Sequence, residues 1–254
     1  MQKINKVKRA LIEGKSVLGA FVMFPSPDIV EMLGYSNFDF VIIDSEHGRM
    51  TIEQIECLVR AADCSDTVPI VRVPNDKNKI LQVLETGCLG VQIPQINTVE
   101  EVQEIIKTVK YYPEGQRGMA FTTRAGNYGT NNLEDHMRRS NNELLVSIQI
   151  ENIEGVNNLA DILKVPGIDV LFLGPADLSQ SLGLPGQVNH SLVKETIERV
   201  YEQGNKAGLV IGIDTSSAEA ARNWLDYGMR YVTVGPGALF KSCKEIAAEI
   251  KKIN

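Results

Sequence analysis

The chain has 254 residues, 43% of them hydrophobic and 23% charged, which is the balance of a folded domain with a sizeable core and far from disordered or collagen-like compositions. Its net charge of −6, from 26 basic and 32 acidic residues, gives no electrostatic reason to expect nucleic acid or an anionic membrane as a partner, and a small molecule is the better fit. Cys57, Cys64, Cys88 and Cys243 have neither C-x-x-C spacing nor the density of a disulfide scaffold, Met1 to Ala10 has basic residues with no apolar stretch behind them, and no apolar run reaches membrane-spanning length, so a cytoplasmic protein is expected.

In chain order, Ile4, Val7 and Leu11 mark one face of a short lid-like helix stopped by Gly14. Apolar runs then recur at residues 17–24, 38–44, 68–74, 90–96, 144–151, 170–174, 209–214 and 231–235. Between them lie segments of helical period, such as 51–59 and 98–106, each opened by a capping threonine with acidic residues in the first turn. Glycines follow helices at Gly87 and Gly228, and a last helix is expected over 242–253. Eight strands alternating with helices imply a parallel sheet, and eight is the number that closes it into a (β/α)₈ TIM barrel. No Pro-, Gly- or Ser-rich linker divides the chain, so residues 1–254 read as one domain. Residues 112–142 break the rhythm with a ninth strand candidate at 117–121, a polar Gly-rich loop and a charged helical piece at 133–139; such an insertion is expected to be functional or to lie at a subunit contact.

Catalytic groups of such a barrel come from the C-terminal ends of its strands. The second run ends Asp44-Ser45-Glu46-His47-Gly48, the third Arg72-Val73-Pro74, the fifth Gln149-Ile150-Glu151, the sixth Gly174-Pro175-Ala176-Asp177 and the seventh Ile213-Asp214. Glu151 and Asp177 supply two hard oxygen ligands without thiolate or imidazole, a set that suits Mg²⁺, Mn²⁺ or Co²⁺ with open positions able to chelate a 2-oxo acid. The alternative is that both carboxylates cap the helices that follow them. Asp44, three residues before His47, can orient the imidazole as a general base, with Glu46 holding a water or a neighbouring group. Arg72 ends an apolar strand, where its charge should face an anion or a developing enolate, or pair with Asp44 or Glu46.

Other groups are set aside. His136 is expected on a solvated helix face, His190 precedes a helix, and Gly235-Pro236-Gly237 reads either as a backbone anion site or as a turn. Schiff-base chemistry needs a desolvated lysine at a strand end, whereas Lys107, Lys110, Lys164, Lys194 and Lys206 fall in helices or loops and Lys77 alone lies near one.

The combination of Asp39-Phe40-Val41-Ile42-Ile43-Asp44 with Glu46-His47-Gly48, Val71-Arg72-Val73-Pro74, Gly90-Val91-Gln92-Ile93-Pro94, Gln149-Ile150-Glu151 and Gly174-Pro175-Ala176-Asp177-Leu178-Ser179 resembles the HpcH/HpaI aldolase family, the metal-dependent class II pyruvate aldolases. The likeness covers residues 17–235. It implies a (β/α)₈ barrel that cleaves a 4-hydroxy-2-oxo acid to pyruvate and an aldehyde through a metal-stabilised pyruvate enolate. It places the divalent metal on Glu151 and Asp177, substrate binding on Gln149 and along Gly174, Pro175 and Ala176, enolate stabilisation on Arg72, and an Asp/His dyad on Asp44 and His47. It also implies a hexamer, a trimer of dimers that exchange the last helix, and makes Arg124, in the irregular segment, a candidate contributor to a neighbour's site. Two positions depart from the family pattern: Ser45 stands where glycine is common, and Gly235-Pro236-Gly237 where many members have Gly-Ser-Asp.

Two further readings compete: a lyase of the citrate-lyase-like branch acting on malyl- or citryl-CoA, against which there is no basic cluster for the CoA phosphates, and a catalytically silent barrel that binds a 2-oxo acid.

Overall fold

The computed structural model describes residues 4–130 and 132–251. After α1 (Lys6–Ile12), eight strands follow in order: β1 (Val17–Val22), β2 (Phe40–Asp44), β3 (Val68–Arg72), β4 (Gly90–Ile93), β5 (Leu145–Ile150), β6 (Val170–Leu173), β7 (Val210–Thr215) and β8 (Tyr231–Val234). Each pairs in parallel with its sequence neighbour, and β1 pairs with β8, so the sheet closes into the expected (β/α)₈ barrel. The connections carry α2 (Pro27–Tyr35), α3 (Ile52–Cys64), α4 (Lys77–Glu85), α5 (Val99–Val109), α6 (Leu133–Glu143), α7 (Ile153–Asn157), α8 (Leu159–Ile162), α9 (Pro175–Ser181), α10 (Ser191–Lys206) and α11 (Ala218–Tyr227), and α12 (Gly237–Lys251) follows β8.

The threonines open their helices as expected. Thr51 with Gln54, and Thr98 with Glu101, form reciprocal capping boxes at the starts of α3 and α5. Gly228 ends α11 at φ 116°, a left-handed conformation that only glycine adopts without strain.

Strand side chains alternate between two environments because successive residues point to opposite faces. Val41, Ile43, Val71, Val91, Ile148, Leu171 and Ile213 point outward and pack under the helices. Phe40, Ile42, Ile70, Leu145, Phe172 and Tyr231 point inward and fill the lower half of the barrel, with Phe40 stacked on Tyr231 at 4.3 Å between ring centroids. Both faces are apolar, which is why the strands read as continuous hydrophobic runs. Toward the C-terminal ends the inward positions turn polar: Asp44, Arg72, Gln92, Ser147, Gln149, Asp214 and Thr233. The alternation therefore collects polar groups into one layer above an apolar floor.

Three expectations are corrected. The first helix is no lid over that layer; Val7 and Leu11 of α1 pack into the inner apolar cluster and plug the opposite, N-terminal end. Residues 117–121 form no strand, because the barrel already closes through β4–β5 pairing and leaves no free edge. This segment is tied down instead by Arg117, which donates to Glu85 at 3.0 Å and lies over the Tyr111 ring at 4.6 Å. The last helix begins earlier, at Gly237, and the final positions of the expected span, 252 and 253, lie outside the described residues. Among the described residues no helix is long and apolar enough to cross a membrane.

Candidate active site

The polar layer is built around Arg72. Its Nε donates to Asp44 Oδ1 at 2.9 Å and its Nη2 to Asp44 Oδ2 at 2.6 Å, while Nη1 stands 3.3 Å from Glu46 Oε2. The guanidinium also lies 4.8 Å above the Phe21 ring. β2 and β3 are adjacent with Asp44 opposite Arg72, so the pair follows from register. Ser45, in place of the family's usual glycine, adds a side-chain clip: its Oγ and its backbone N both donate to the Arg72 carbonyl, at 2.6 and 2.9 Å. Burial alone would pull the Arg72 pKa down; the hydrogen bonds and charge of Asp44, with Glu46 and Glu151, outweigh it and hold the group raised.

The Asp44–His47 relation differs from the expected dyad. Asp44 Oδ1 accepts the backbone N–H groups of Glu46 and His47 at 3.0 and 3.3 Å, so it positions the His47 main chain rather than the ring. The imidazole is 57% exposed at the barrel mouth, with Nε2 3.8 Å from Glu46 Oε2. The Asp44 oxygens accept from the Arg72 fork and those two backbone N–H groups, and no hydrogen bond joins them to the His47 ring.

A second constellation joins β4 to β5. Ser147 Oγ donates to Gln92 Oε1 at 3.2 Å, Gln92 Nε2 donates to Gln149 Oε1 at 3.1 Å, and Gln149 Nε2 donates to Glu151 Oε2. The other Glu151 oxygen accepts the backbone N–H of Gln95 at 2.8 Å, and Gln95 takes a left-handed φ of 56° to present it. The Gln95 side chain reaches on to Glu46 Oε1 at 3.4 Å. Ser147, Gln92 and Gln95 carry no role in the sequence reading. The available signal was a polar residue inside each apolar run, at an inward position beside Arg72 or Gln149.

Neither carboxylate is a helix cap. Asn152 caps α7 by accepting from Glu154 N at 2.7 Å, and the residue at the N-cap of α9 is Gly174. Glu151 is buried at the strand end, whereas Asp177 sits exposed in the first turn of α9. Gly174 is there for space: a Cβ on it would come 2.6 Å from Glu151 Oε2 and 2.8 Å from Gln149 Nε2. Pro175 and Ala176 continue this rim to Asp177.

Burial pushes the Glu151 pKa up to about 7, with Asp177 and Glu46 adding to the rise against the Gln95 and Gln149 hydrogen bonds. Glu46 is raised as well, by burial first, although Arg72 and His47 oppose it. Burial raises Asp214 to about 6 despite a 2.7 Å hydrogen bond from Thr233 Oγ1. The layer thus concentrates carboxyl groups around one guanidinium, a surplus of negative charge that a divalent cation would relieve. Among the described residues no three His, Cys, Asp or Glu side chains are grouped to hold a metal. A hard cation held by Glu151 and Asp177 would have to take its remaining ligands from solvent or substrate.

The groups set aside lie elsewhere. Lys77 is exposed at the start of α4. Lys110 is buried at the N-terminal end of the barrel, donating to the Asn141 carbonyl, and burial followed by the neighbouring Lys8 charge pulls it down to about 8. His136 is half-buried between the Tyr111 and Phe121 rings, not on a solvated face, and burial lowers its pKa. His190 caps α10 through Nδ1. Arg124 pairs with Asp63 and donates to the Thr86 carbonyl at 2.6 Å, beside the helix-to-strand turn at Gly87. The Gly235 N–H is spent on Thr215 O, which favours the turn reading of Gly235-Pro236-Gly237.

Residues 17–239 match the family model described as HpcH/HpaI aldolase/citrate lyase. The chain is 33% identical over 253 residues to a hydroxypyruvate/pyruvate aldolase of Roseobacter denitrificans, covering 98% of each protein. It is 32% identical over 251 residues to a 5-keto-4-deoxy-D-glucarate aldolase of Salmonella paratyphi A, covering 98% of this chain and 97% of that one. Among solved structures it resembles the citrate synthase SbnG at 33% identity and a TM-score of 0.87, over 96% of this chain and 97% of that one.

Proposed function

Since the chain belongs to the HpcH/HpaI aldolase/citrate lyase family and is an aldolase, we propose that it cleaves a 4-hydroxy-2-oxo acid to pyruvate and an aldehyde. The observation that carries this reading is the single polar layer in which Arg72, the Gln149–Glu151 pair and the Gly174 rim converge at one end of the barrel.

A divalent ion, Mg²⁺, Mn²⁺ or Co²⁺, held by Glu151 and Asp177 would supply the Lewis acidity that polarises the substrate's C2 carbonyl. Gln149 orients the 2-oxo acid from β5, and the Gly174-Pro175-Ala176 rim bounds its carboxylate. His47 accepts the proton of the 4-hydroxyl; the C4–O bond becomes the aldehyde carbonyl as C3–C4 breaks, and the released electron pair becomes an enolate that Arg72 faces. Protonation at C3 then gives the methyl group of pyruvate. Asp44 is the positioning residue for both halves, since it holds the Arg72 fork and the His47 backbone.

The assay is pyruvate release from a panel of 4-hydroxy-2-oxo acids, with chelated enzyme and with Mn²⁺ restored. Metal-restored pyruvate release supports the reading. Full activity after chelation overturns the metal role, and no release from any member overturns the aldolase role.

The likeness to SbnG favours a second reading, condensation of an enolised acyl group with a 2-oxo acid. Thiol release from acetyl-CoA with oxaloacetate, together with inertness toward the hydroxy-oxo acid panel, would select it.

The working unit we propose is one barrel domain assembled as a homo-oligomer, a trimer of dimers. Phe240, Ile246 and Ile250 of α12 are exposed at 64%, 60% and 58%, an apolar face suited to exchange onto a neighbouring subunit.

A further inference from the structure

One carboxyl group of the polar layer has no part in that mechanism. Asp214 continues the inward series Val210, Gly212, Asp214 on β7, and because Leu173 pairs with Ile213 it stands level with Gly174 on β6. Its Oδ1 accepts from Thr233 Oγ1 at 2.7 Å. The Thr215 backbone N–H also donates to this carboxylate, and Oδ2 lies 3.1 Å from where a Cβ on Gly235 would be, so the glycine leaves room beside that oxygen. The Arg72 charge acts on Asp214 from across the barrel, lowering its pKa against the larger effect of burial.

The carboxylate and carbonyl of the substrate are anchored at the β5 and β6 ends, and the proton acceptor lies after β2. What is left to receive the chain beyond C4 is the wall of β7, β8 and β1, which presents Asp214, Gly235 and Phe21, with the buried Thr233 holding Asp214 from behind. Asp214 is its charged member.

We propose that Asp214 is a specificity-determining residue that lines the aldehyde half of the site and selects uncharged, hydroxylated aldehydes over aldehydes carrying a second carboxylate. A hydroxyl can donate to a remaining lone pair of the Asp214 carboxylate, whereas a second carboxylate meets like charge in a water-poor layer, where repulsion is strong. The inference rests on the aldolase reading, which is tested separately below.

The experiment couples pyruvate with glycolaldehyde and with succinic semialdehyde in the metal-loaded enzyme and compares kcat/KM for the two. Wild type is expected to favour glycolaldehyde. Asp214→Asn, which keeps the shape and the Thr233 partner but removes the charge, is expected to lower that preference by about tenfold. Gly235→Ala, which covers Oδ2 from the other side, should lower it too and serves if the first variant does not fold. Because the readout is a ratio, a general loss of active protein cancels. An unchanged ratio in the folded variants, or a wild-type preference for succinic semialdehyde, overturns the role of Asp214. Solvent exchange of the pyruvate methyl protons in wild type reports the pyruvate half alone; its absence would instead overturn the aldolase reading.

Discussion

Arg72 and Asp44 face each other across adjacent strands and share two hydrogen bonds, of 2.9 and 2.6 Å, in a pocket where Asp44 is fully buried. The fork geometry fixes the guanidinium plane, leaving Nη1 directed at Glu46 and the site. A lysine could keep the charge but not the plane.

Arg72→Lys is therefore expected to lower kcat/KM for pyruvate release by about 100-fold or more, because a fixed donor to the developing oxyanion is lost. Near-normal turnover in this variant would remove Arg72 from the enolate role. Asp44→Asn should in addition destabilise the fold by about 3 kcal/mol, since it leaves a buried cation half-paired; thermal or urea unfolding checks it.

The Ser147–Gln92–Gln149 chain dictates which way the Gln149 amide points, and so which atom meets Glu151. Gln92→Leu removes that instruction without touching a proposed metal ligand. Mn²⁺ affinity, read by titration calorimetry or paramagnetic resonance, is expected to weaken about tenfold, with a melting temperature close to wild type. Unaltered Mn²⁺ binding would reduce Gln92 to a core filler.

For metal-free protein the pH dependence has a definite sign. Glu151 is raised from 4.5 to about 7 and Asp214 from 3.8 to about 6, so the folded state holds these protons more tightly than the unfolded chain. Their contribution is complete below about pH 4 and is lost as pH rises through the folded values, on the order of 3 kcal/mol for Glu151. Melting temperature without metal should fall between pH 5 and 8, and Mn²⁺ should restore it at pH 8, where the ligand is ionised. Glu151→Gln should flatten this slope; a slope as steep as wild type would place its origin elsewhere.

The apolar face of α12 predicts an assembly that a charge can divide. Ile246→Glu is expected to convert the proposed hexamer to smaller species in light scattering coupled to gel filtration. An unchanged mass would show that α12 does not hold the subunits together.

The strand ends were legible in the sequence because the chemistry of a parallel barrel leaves a simple trace: apolar runs with both faces buried, each stopping on polar residues. Asp44, Arg72, Gln149 and Glu151 all stand at such stops. Gln92 and Ser147 stand one step inside their runs, where a single polar letter looks like an exception to an apolar strand. Their role depends on which strand lies beside which and in what register, a relation between residues 55 and 57 positions apart. Gln95 was hidden for another reason, since what binds Glu151 is its backbone N–H, and any residue type has one.

The periodicity of apolar runs and helix caps thus determined the barrel, its order and the end at which chemistry collects, because alternation and capping are local properties written in consecutive residues. The tertiary structure alone decided how the polar groups share partners. It gave the Asp44 carboxylate to Arg72 rather than to the imidazole, put α1 under the barrel rather than over the site, buried Lys110 at the far end, and set Asp214 beside Gly174 on the neighbouring strand. Competition among hydrogen-bonding groups is settled by distance and register across strands, and neither is carried by the spacing of residues along the chain.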